Sequence, residues 1–255
     1  MSRFEPQTPE SPPRPRSVVI LTGAGVSAES GIRTFRDADG LWEDHRIDDV
    51  ATPEGFLRDP DLVHRFYNQR RRLLTEGTVR PNPAHVALAR FEREFPGDVL
   101  VITQNIDNLH ERAGSRQVLH MHGELLRMRC QMSERVFDIR NDIGPLSRCQ
   151  CCGQPGNLRP HIVWFGEVPF HMPQITRALE NCDLFVSIGT SGNVYPASGF
   201  YQTARIGRAH TVEINLEETG SSFHEHIYGR ASVAVPEYFD QLLASLSEGS
   251  NADNS

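Results

Sequence analysis

The sequence lacks any long apolar run. Its longest runs, such as Val99–Ile102, fall far short of the ~18 apolar residues that a membrane helix needs, so we expect no membrane contact. Residues 1–16 contain no apolar segment of the kind that an ordinary secretory signal carries. Basic residues are outnumbered by acidic ones, 26 to 33, which disfavours a nucleic-acid partner. We therefore expect a soluble, cytoplasmic, globular protein.

Cysteine is also scarce, since the chain has only five, an odd number that makes a poor disulfide framework. Cys149 and Cys152 have the spacing of a zinc knuckle, and Cys130 can supply a third thiolate. A second pair of that spacing would need a cysteine at position 133, where the chain has Ser133, so Cys151 is the candidate fourth ligand. The cluster predicts one structural zinc ion, and the alternative is a set of free thiols in a small lobe.

Short apolar runs of β type alternate with helical patterns between two polar ends. Residues 1–16 hold five prolines, and both they and residues 247–255 are predicted to be disordered tails. The runs predicted as strands are Ser17–Leu21, Asp98–Thr103, Asp183–Ile188 and Thr211–Ile214, and those predicted as helices include Pro83–Glu94 and Pro173–Asn181. This alternation predicts an α/β fold built on a parallel sheet that is covered on both faces.

Each predicted strand is followed by small or hydrogen-bonding residues. The four segments are Thr22–Gly25, Gln104–Asp107, Gly189–Ser191 and Asn215–Glu217. Ligands of open parallel sheets bind beyond the carboxyl ends of the strands, so these segments predict one shared crevice. The plainer alternative is that loops are polar wherever they occur.

A glycine-rich loop follows the first predicted strand. Gly23, Gly25 and Ala28 match the Gly-x-Gly-x-x-Gly/Ala pattern, in which backbone N–H groups approach a pyrophosphate at a helix start. A hydride-transferring domain would next show a strand ending in an acidic residue, but residues 33–42 form a polar stretch with two aromatic side chains. This stretch is either a lid over a dinucleotide or an ordinary surface loop.

Five motifs together resemble the sirtuin family. They are Gly23–Arg36, Thr103–Asp107, His120–Gly123, Gly189–Ser191 and Asn215–Glu217, in the family's order within residues 17–240. Sirtuins are NAD-dependent protein-lysine deacylases, and this chain is most similar to the bacterial type within the subgroup that also removes acidic acyl chains. The resemblance implies that acylated lysines of proteins are the substrates and that NAD is consumed.

The resemblance also implies how the chain is divided. It implies a deacylase domain over residues 17–246, composed of a Rossmann-like large domain and a small lobe. The large domain is expected at 17–43, 79–123 and 162–246, the helical part of the lobe at 44–78, and its zinc module at 124–161. A monomer is expected.

Residue roles follow from the same resemblance. His122 matches the general base, and Asn105 and Phe35 match the residues that complete the catalytic group. The positions that match NAD-binding residues are Gly23, Ala24, Gly25, Ala28, Arg33, Thr34, Phe35, Arg36, Trp42, Gln104, Asn105, Ile106, Asp107, Gly189, Thr190, Ser191, Asn215, Leu216, Glu217 and Ala231. In the implied reaction the acyl oxygen attacks the ribose carbon that carries nicotinamide, and His122 then deprotonates a ribose hydroxyl. The products are free lysine, nicotinamide and O-acyl-ADP-ribose.

One predicted helix indicates which acyl group the protein removes. Apolar residues recur at spacings of three and four over Asp61–Leu74, and Arg70 falls on their face. A guanidinium there needs an anionic partner, which is either an internal carboxylate or the end of a succinyl or malonyl group. Tyr67 and Arg70 are similar to the acidic-acyl signature of the subgroup, and Ala51 resembles its pocket-widening residue. The segment that resembles the acyl-lysine channel contributes Val163, Phe165, Gly166 and Glu167.

Two other functions remain open on the sequence. A mono-ADP-ribosyltransferase would use the same NAD site without needing an acyl group. A non-catalytic NAD-binding module would bind NAD without releasing nicotinamide.

Overall fold

A six-stranded parallel sheet forms the centre of the molecule. The computed structural model describes residues 15–33, 41–42 and 45–252. The sheet has the order β11-β10-β9-β1-β4-β5. Its strands are β1 (Ser17–Thr22), β4 (Asp98–Thr103), β5 (Val118–His120), β9 (Leu184–Ile188), β10 (His210–Asn215) and β11 (Glu225–Tyr228). The predicted α/β fold with a parallel sheet is therefore confirmed.

Strand β1 is buried on both faces, which explains why its sequence is continuously apolar rather than alternating. Val18 and Ile20 belong to one apolar cluster, and Val19 and Leu21 belong to another. This division follows from the period of two along a strand.

Helices cover both faces of the sheet. Helices α5 and α9 contribute buried apolar side chains to the cluster that contains Val18, and α7 and α8 contribute to the cluster that contains Val19. The helices are α1 (Ala24–Ala28), α2 (Ile47–Val50), α3 (Pro53–Arg58), α4 (Pro60–Thr75), α5 (Pro83–Glu94), α6 (Leu109–Ala113), α7 (Met172–Asn181), α8 (Phe200–Ile206) and α9 (Ala231–Ala252). Helix α5 begins where it was predicted because Asn82 caps it and Pro83 occupies its first position.

A smaller antiparallel sheet lies beside helix α4. It has the order β7-β6-β8, formed by β6 (Gly123–Cys130), β7 (Val136–Asp138) and β8 (Leu158–Ile162). A short hairpin pairs β2 (Leu41–Trp42) with β3 (His45–Arg46). Strand β6 begins directly after His122 and β8 ends directly before Val163, so this sheet holds two segments that were predicted to line the site.

The predicted start of the C-terminal tail, at residue 247, was wrong. Helix α9 continues to Ala252, whereas the tail was expected from residue 247. The helix is anchored by Val235 and Phe239 in the core, and extending an anchored helix through polar residues costs little. Residues 253–255 and 1–14, on which the rest of the tail predictions fall, lie outside the described residues.

The N-terminal tail prediction also extended too far. Arg16 donates its backbone N–H to the carboxylate of Asp183 and accepts one from Asp98. It therefore belongs to the edge of the sheet. Over the part of the chain that the structure describes, no helix is long and apolar enough to cross a membrane.

Candidate active site

The direction of the sheet connections reverses beside β1. The chain runs from β1 to β4 and β5 on one side and returns to β9 on the other, so β1 and β9 lie next to each other with their carboxyl ends at one crevice. The glycine-rich loop follows β1, and Gly189 follows β9. A side chain on Gly25 would place its Cβ 2.7 Å from the Cα of Gly189, and Gly189 itself has a φ of 61°. These glycines are therefore required for the close approach of the two loops.

Two N–H groups of the glycine-rich loop are bonded to the neighbouring loop after β9. Gly23 donates its N–H to the carbonyl of Ile188 at 3.0 Å, and Gly25 donates to the carbonyl of Gly189 at 2.9 Å. These two N–H groups therefore fasten the loop to the end of β9. Contact of the loop with a pyrophosphate stays a prediction.

A cavity of about 890 Å³ extends from this crevice to the smaller sheet. Most of the predicted site residues that the structure describes line it. They are Gly23, Ala24, Gly25, Arg33, Trp42, Gln104, Asn105, Ile106, Asp107, His122, Gly189, Thr190, Ser191, Asn215, Leu216 and Glu217, with Ala51, Tyr67, Val163, Phe165, Gly166 and Glu167 at the predicted acyl end.

Some predicted residues do not line the cavity. Ala28 lies at the end of α1, Ala231 lies at the start of α9, and Arg70 lies on α4 beside Tyr67. Thr34, Phe35 and Arg36 lie outside the described residues.

The cavity also has lining residues that the sequence reasoning missed. They are Ser27, Ile32, Ile162, Trp164, Pro169, Asn193, Val194, Tyr195, Glu218 and Thr219. Ser27, Ile32 and Trp164 lie inside motifs that had been singled out, so the motifs themselves were the available signal. The others follow or precede such motifs by a few residues, and nothing in their type marked them.

His122 is held in one orientation at the floor of the cavity. Its Nδ1 donates to the carbonyl oxygen of Gln104 at 3.0 Å, so its Nε2 keeps a free lone pair when the ring is neutral. Burial lowers the pKa of His122, and the hydrogen bond to Gln104 opposes this only in part. The ring is therefore neutral at pH 7 and can accept a proton. Gly123 follows at a φ of 86°, and a Cβ there would meet the carbonyl oxygen of His161 at 2.0 Å.

A second histidine, His120, contacts the same loop after β4 that His122 contacts. His120 Nδ1 lies 3.2 Å from the carbonyl oxygen of Asn105, and its Nε2 lies 2.6 Å from a carboxylate oxygen of Glu111. Burial lowers the pKa of His120, but the hydrogen bond and charge of Glu111 outweigh it, and the net pKa is raised. The two histidines thus bond to consecutive carbonyl groups of the loop after β4.

The side chains of that loop form a buried network below the cavity. Asn105 Nδ2 donates to the carbonyl of Gly23 and to the hydroxyl of Ser27, each at 3.1 Å. The Ser27 hydroxyl donates to Asp107 at 3.1 Å, and Asp107 also accepts the N–H of Leu109. Burial raises the pKa of Asp107. The network joins the glycine-rich loop rigidly to the loop that holds His122.

The opposite rim of the cavity is formed by the loops after β9 and β10. Asn215 Nδ2 donates to the carbonyl of Thr190 at 2.8 Å, and Asn215 Oδ1 accepts the N–H of Leu216. Leu216 and Glu217 are exposed at this rim. A polar, open edge of this kind suits hydroxyl groups of a nucleotide.

At the acyl end, Tyr67 is completely buried but reaches the cavity. Its hydroxyl accepts a hydrogen bond from Trp164 Nε1 at 2.9 Å, and burial raises the pKa of the phenol. Arg70 donates to the carbonyl of Phe66 at 2.7 Å, and its guanidinium lies 3.2 Å from the centroid of the Phe66 ring. Ala51 fastens the channel segment by accepting the N–H of Phe165 at 2.9 Å.

Glu167 is held by ion pairs rather than left free for a substrate. Arg159 donates to its two carboxylate oxygens at 2.8 and 3.0 Å, and Arg129 donates at 3.1 Å. Glu167 also accepts the N–H of Trp164 at 2.8 Å. Burial raises the pKa of Glu167, but these partners outweigh it and the net pKa is lowered, so the carboxylate is charged. It therefore fixes the turn between Trp164 and Gly166.

The cysteine cluster fits a structural zinc ion. The sulfur atoms of Cys130, Cys149, Cys151 and Cys152 all lie within 4.8 Å of one another. Four sulfurs at about 2.3 Å from a zinc ion would lie about 3.8 Å apart, and the Sγ atoms of Cys130 and Cys152 are 3.9 Å apart. Ser133 lies beside the set, with its hydroxyl 3.1 Å from Cys151 Sγ.

Comparison with known proteins decides the family. The model of the Sir2 family matches residues 23–196. A Vibrio cholerae protein named NAD-dependent protein deacylase is 60% identical over 232 residues, which cover 90% of this chain and 94% of that protein. The chain belongs to the Sir2 family. An Escherichia coli protein of the same name is 56% identical over 246 residues, covering 96% of this chain and 88% of that protein.

Solved Sir2 structures share the whole fold. A Sir2 homologue variant in complex with ADP-ribose is 38% identical, with a TM-score of 0.83 over 91% of this chain and 94% of that one. A Sir2 homologue in complex with NAD is 37% identical, with a TM-score of 0.80 over 92% of this chain and 91% of that one. The parallel Rossmann-like sheet and the smaller antiparallel sheet are thus those of a Sir2 protein.

Proposed function

We propose that this Sir2 chain is an NAD-dependent protein-lysine deacylase that removes acetyl groups and the acidic acyl groups succinyl and malonyl. The observation that carries the proposal is the position of His122. Its neutral imidazole lines one continuous cavity that reaches from the glycine-rich loop to Tyr67. The relatives named NAD-dependent protein deacylase support the same activity.

The nucleotide end of the cavity fits NAD. The loops Gly23–Gly25 and Gly189–Ser191 meet at the switch point of the sheet, and Asn215 to Glu217 supply polar groups at the rim. NAD supplies the ADP-ribose acceptor for the acyl group and a nicotinamide leaving group, so it is consumed. We assign the cavity-lining residues of these loops and of Gln104–Asp107 to NAD binding.

His122 acts as the general base in this proposal. Its Nδ1–H is committed to Gln104, so Nε2 takes the proton from a ribose hydroxyl. Asn105 and Asp107 hold the two loops in place through Ser27, which keeps the base and the nucleotide site in register. Asn105 and Asp107 are both buried, so water does not compete for the hydrogen bonds that hold the loops together.

Tyr67 and Arg70 select acidic acyl groups. Both are buried on α4, three residues apart, and Tyr67 lines the cavity. A phenol hydroxyl and a guanidinium together match a carboxylate, since the carboxylate accepts hydrogen bonds only. Ala51 leaves room there, because a small side chain takes little of the cavity.

Three further assignments belong to the same proposal. Cys130, Cys149, Cys151 and Cys152 hold one structural zinc ion, and the chain divides into a nucleotide-binding domain and a small lobe formed by residues 44–78 and 124–161. The protein acts as a monomer in the cytoplasm, where reducing conditions keep the thiols of this cluster available to a metal.

A time course of nicotinamide release tests the function. Purified protein is incubated with NAD and peptides that carry acetyl-lysine, succinyl-lysine or unmodified lysine. The products are identified by mass spectrometry. We expect release of nicotinamide and O-acyl-ADP-ribose with both acylated peptides and none with the unmodified peptide. Labelling of the unmodified peptide by ADP-ribose would instead indicate the transferase, and binding of NAD without any turnover would indicate a non-catalytic module.

A further inference from the structure

Trp164 joins the channel segment to the acyl end of the cavity. It is 2% exposed, lines the cavity, and donates its indole N–H to the hydroxyl oxygen of Tyr67 at 2.9 Å. Tyr67 is fully buried. The contact is therefore shielded from water, where a hydrogen bond fixes geometry most strongly.

The chemistry of the two groups determines the direction of the bond. An indole N–H can only donate, whereas a phenol hydroxyl has one proton to donate and lone pairs that accept. Because Tyr67 accepts from Trp164, its own proton must point elsewhere. Within the described part of the chain, none of the hydrogen bonds has the Tyr67 hydroxyl as its donor. Tyr67 also lines the cavity, which gives this proton room to point toward a bound group.

Trp164 is itself held from several sides. The guanidinium of Arg159 lies 3.4 Å from the centroid of the indole ring, and Glu167 accepts the backbone N–H of Trp164 while it pairs with Arg159. Phe56 packs against the indole with ring centroids 5.2 Å apart. The indole N–H therefore has a fixed position from which to orient the phenol.

We propose that Trp164 is a specificity-determining positioning residue, whose indole N–H turns the hydroxyl proton of Tyr67 toward the carboxylate of an acidic acyl group. This inference rests on the proposed deacylase function and adds the residue that orients the acid-recognising hydroxyl. An acetyl group ends in a methyl group and offers no acceptor at that depth, so its removal does not depend on the direction of the phenol proton.

Three variants test the inference with matched peptides. Trp164→Phe keeps an aromatic ring and removes the N–H, Tyr67→Phe removes the hydroxyl, and the double variant removes both. Tyr238→Phe, at a half-buried tyrosine on α9 outside the site, is the control for loss of a tyrosine hydroxyl. The readout is kcat and KM for succinyl-lysine and acetyl-lysine peptides at saturating NAD.

We expect Trp164→Phe to lower kcat/KM for succinyl-lysine roughly tenfold more than it lowers kcat/KM for acetyl-lysine, with the difference mainly in KM. The double variant should resemble Tyr67→Phe, because the indole N–H has nothing to orient once the hydroxyl is gone. Equal losses on both peptides, or additive losses in the double variant, would overturn the inference. If the unaltered protein cleaves neither peptide, the proposed function itself fails.

A second measurement does not depend on how Trp164→Phe folds. The chain has only two tryptophans, so the indole N–H region of a ¹H–¹⁵N spectrum should hold two signals. In Tyr67→Phe the signal of Trp164 should shift and exchange faster with solvent, and in the unaltered protein a succinyl-lysine peptide should shift it more than an acetyl-lysine peptide. An unchanged signal in Tyr67→Phe would show that the bond does not exist in solution.

Discussion

His122 Nδ1 lies 3.0 Å from the carbonyl oxygen of Gln104, although the two residues are 18 positions apart in the sequence. Gln104 follows strand β4 and His122 follows strand β5. A carbonyl can only accept, so the contact places the ring proton on Nδ1 and leaves Nε2 to receive a proton. Burial lowers the pKa of the ring below its ordinary value of 6.5 and so favours the neutral form.

The first prediction concerns the pH dependence of deacylation. In the proposed mechanism neutral His122 is the active form, and its pKa is lowered, so the acid limb of kcat/KM should have its midpoint below pH 6.5. His122→Asn should reduce kcat/KM by about 10³-fold or more, and His210→Asn, an exposed histidine on β10, serves as the control. A midpoint above 6.5 in the unaltered protein would contradict a base of lowered pKa.

A second prediction separates acyl groups. Arg70→Met should lower kcat/KM for succinyl-lysine by roughly tenfold or more, because the cationic partner of the carboxylate is lost, and lower that for acetyl-lysine by no more than about threefold. Arg65 lies exposed on the same helix, so Arg65→Met controls for the loss of a charge from α4. If Arg70→Met reduced both activities equally, Arg70 would have a structural role only.

The third prediction concerns the metal. We expect elemental analysis to find one zinc ion per chain, and Cys149→Ser to lose it with a fall in Tm of roughly 5–10 °C. Ser133→Ala should retain the zinc, since the four sulfur atoms complete the ligand set and Ser133 lies beside them. Loss of zinc from Ser133→Ala would place the serine oxygen in the ligand set, and full retention in Cys149→Ser would remove that cysteine from it.

A fourth prediction links buried histidines to stability. Burial lowers the pKa of His64, His85 and His161 to about 4 in the folded protein, whereas the unfolded value is near 6.5. The unfolded chain therefore binds more protons, and the free energy of unfolding should fall as the pH drops from 6.5 toward 4, by on the order of 1 kcal/mol per histidine. His120 has a raised pKa and acts in the opposite direction.

Urea unfolding at pH 7 and pH 5 measures this effect. His64→Gln should flatten the dependence on pH, because one of the groups that titrate on unfolding is removed. Stability that rose between pH 7 and pH 5 would contradict the assigned direction.

The fifth prediction concerns the closely packed loops. Gly25→Ala should unfold or strongly destabilise the protein, by roughly 2–4 kcal/mol, since the added Cβ would lie 2.7 Å from the Cα of Gly189. Gly199→Ala is the matched control, because a Cβ there meets nothing within 4 Å. Thermal unfolding of both variants gives the comparison, and equal Tm values would show that the two loops can separate without cost.

Local sequence determined the parts of this protein that depend on near neighbours. Strand β4 and helix α5 have the bounds that their residues predicted, because apolar runs and the cap formed by Asn82 and Pro83 act within a few residues. The order of the motifs likewise indicated the family. The C-terminal end of α9 was not predicted, because its last residues are polar. The helix is held in the core by Val235 and Phe239, which come earlier in the chain.

Only the tertiary structure decided how the site is assembled. The bonds from Trp164 to Tyr67 and from Arg159 to Glu167 join residues whose types alone indicate no partner, and the first pair is 97 residues apart. Two N–H groups of the glycine-rich loop bond to the end of β9 because β9 pairs with β1. Strand β9 comes more than 160 residues after β1 in the sequence. Contacts between distant segments depend on the whole packing of the chain, and no local pattern records them.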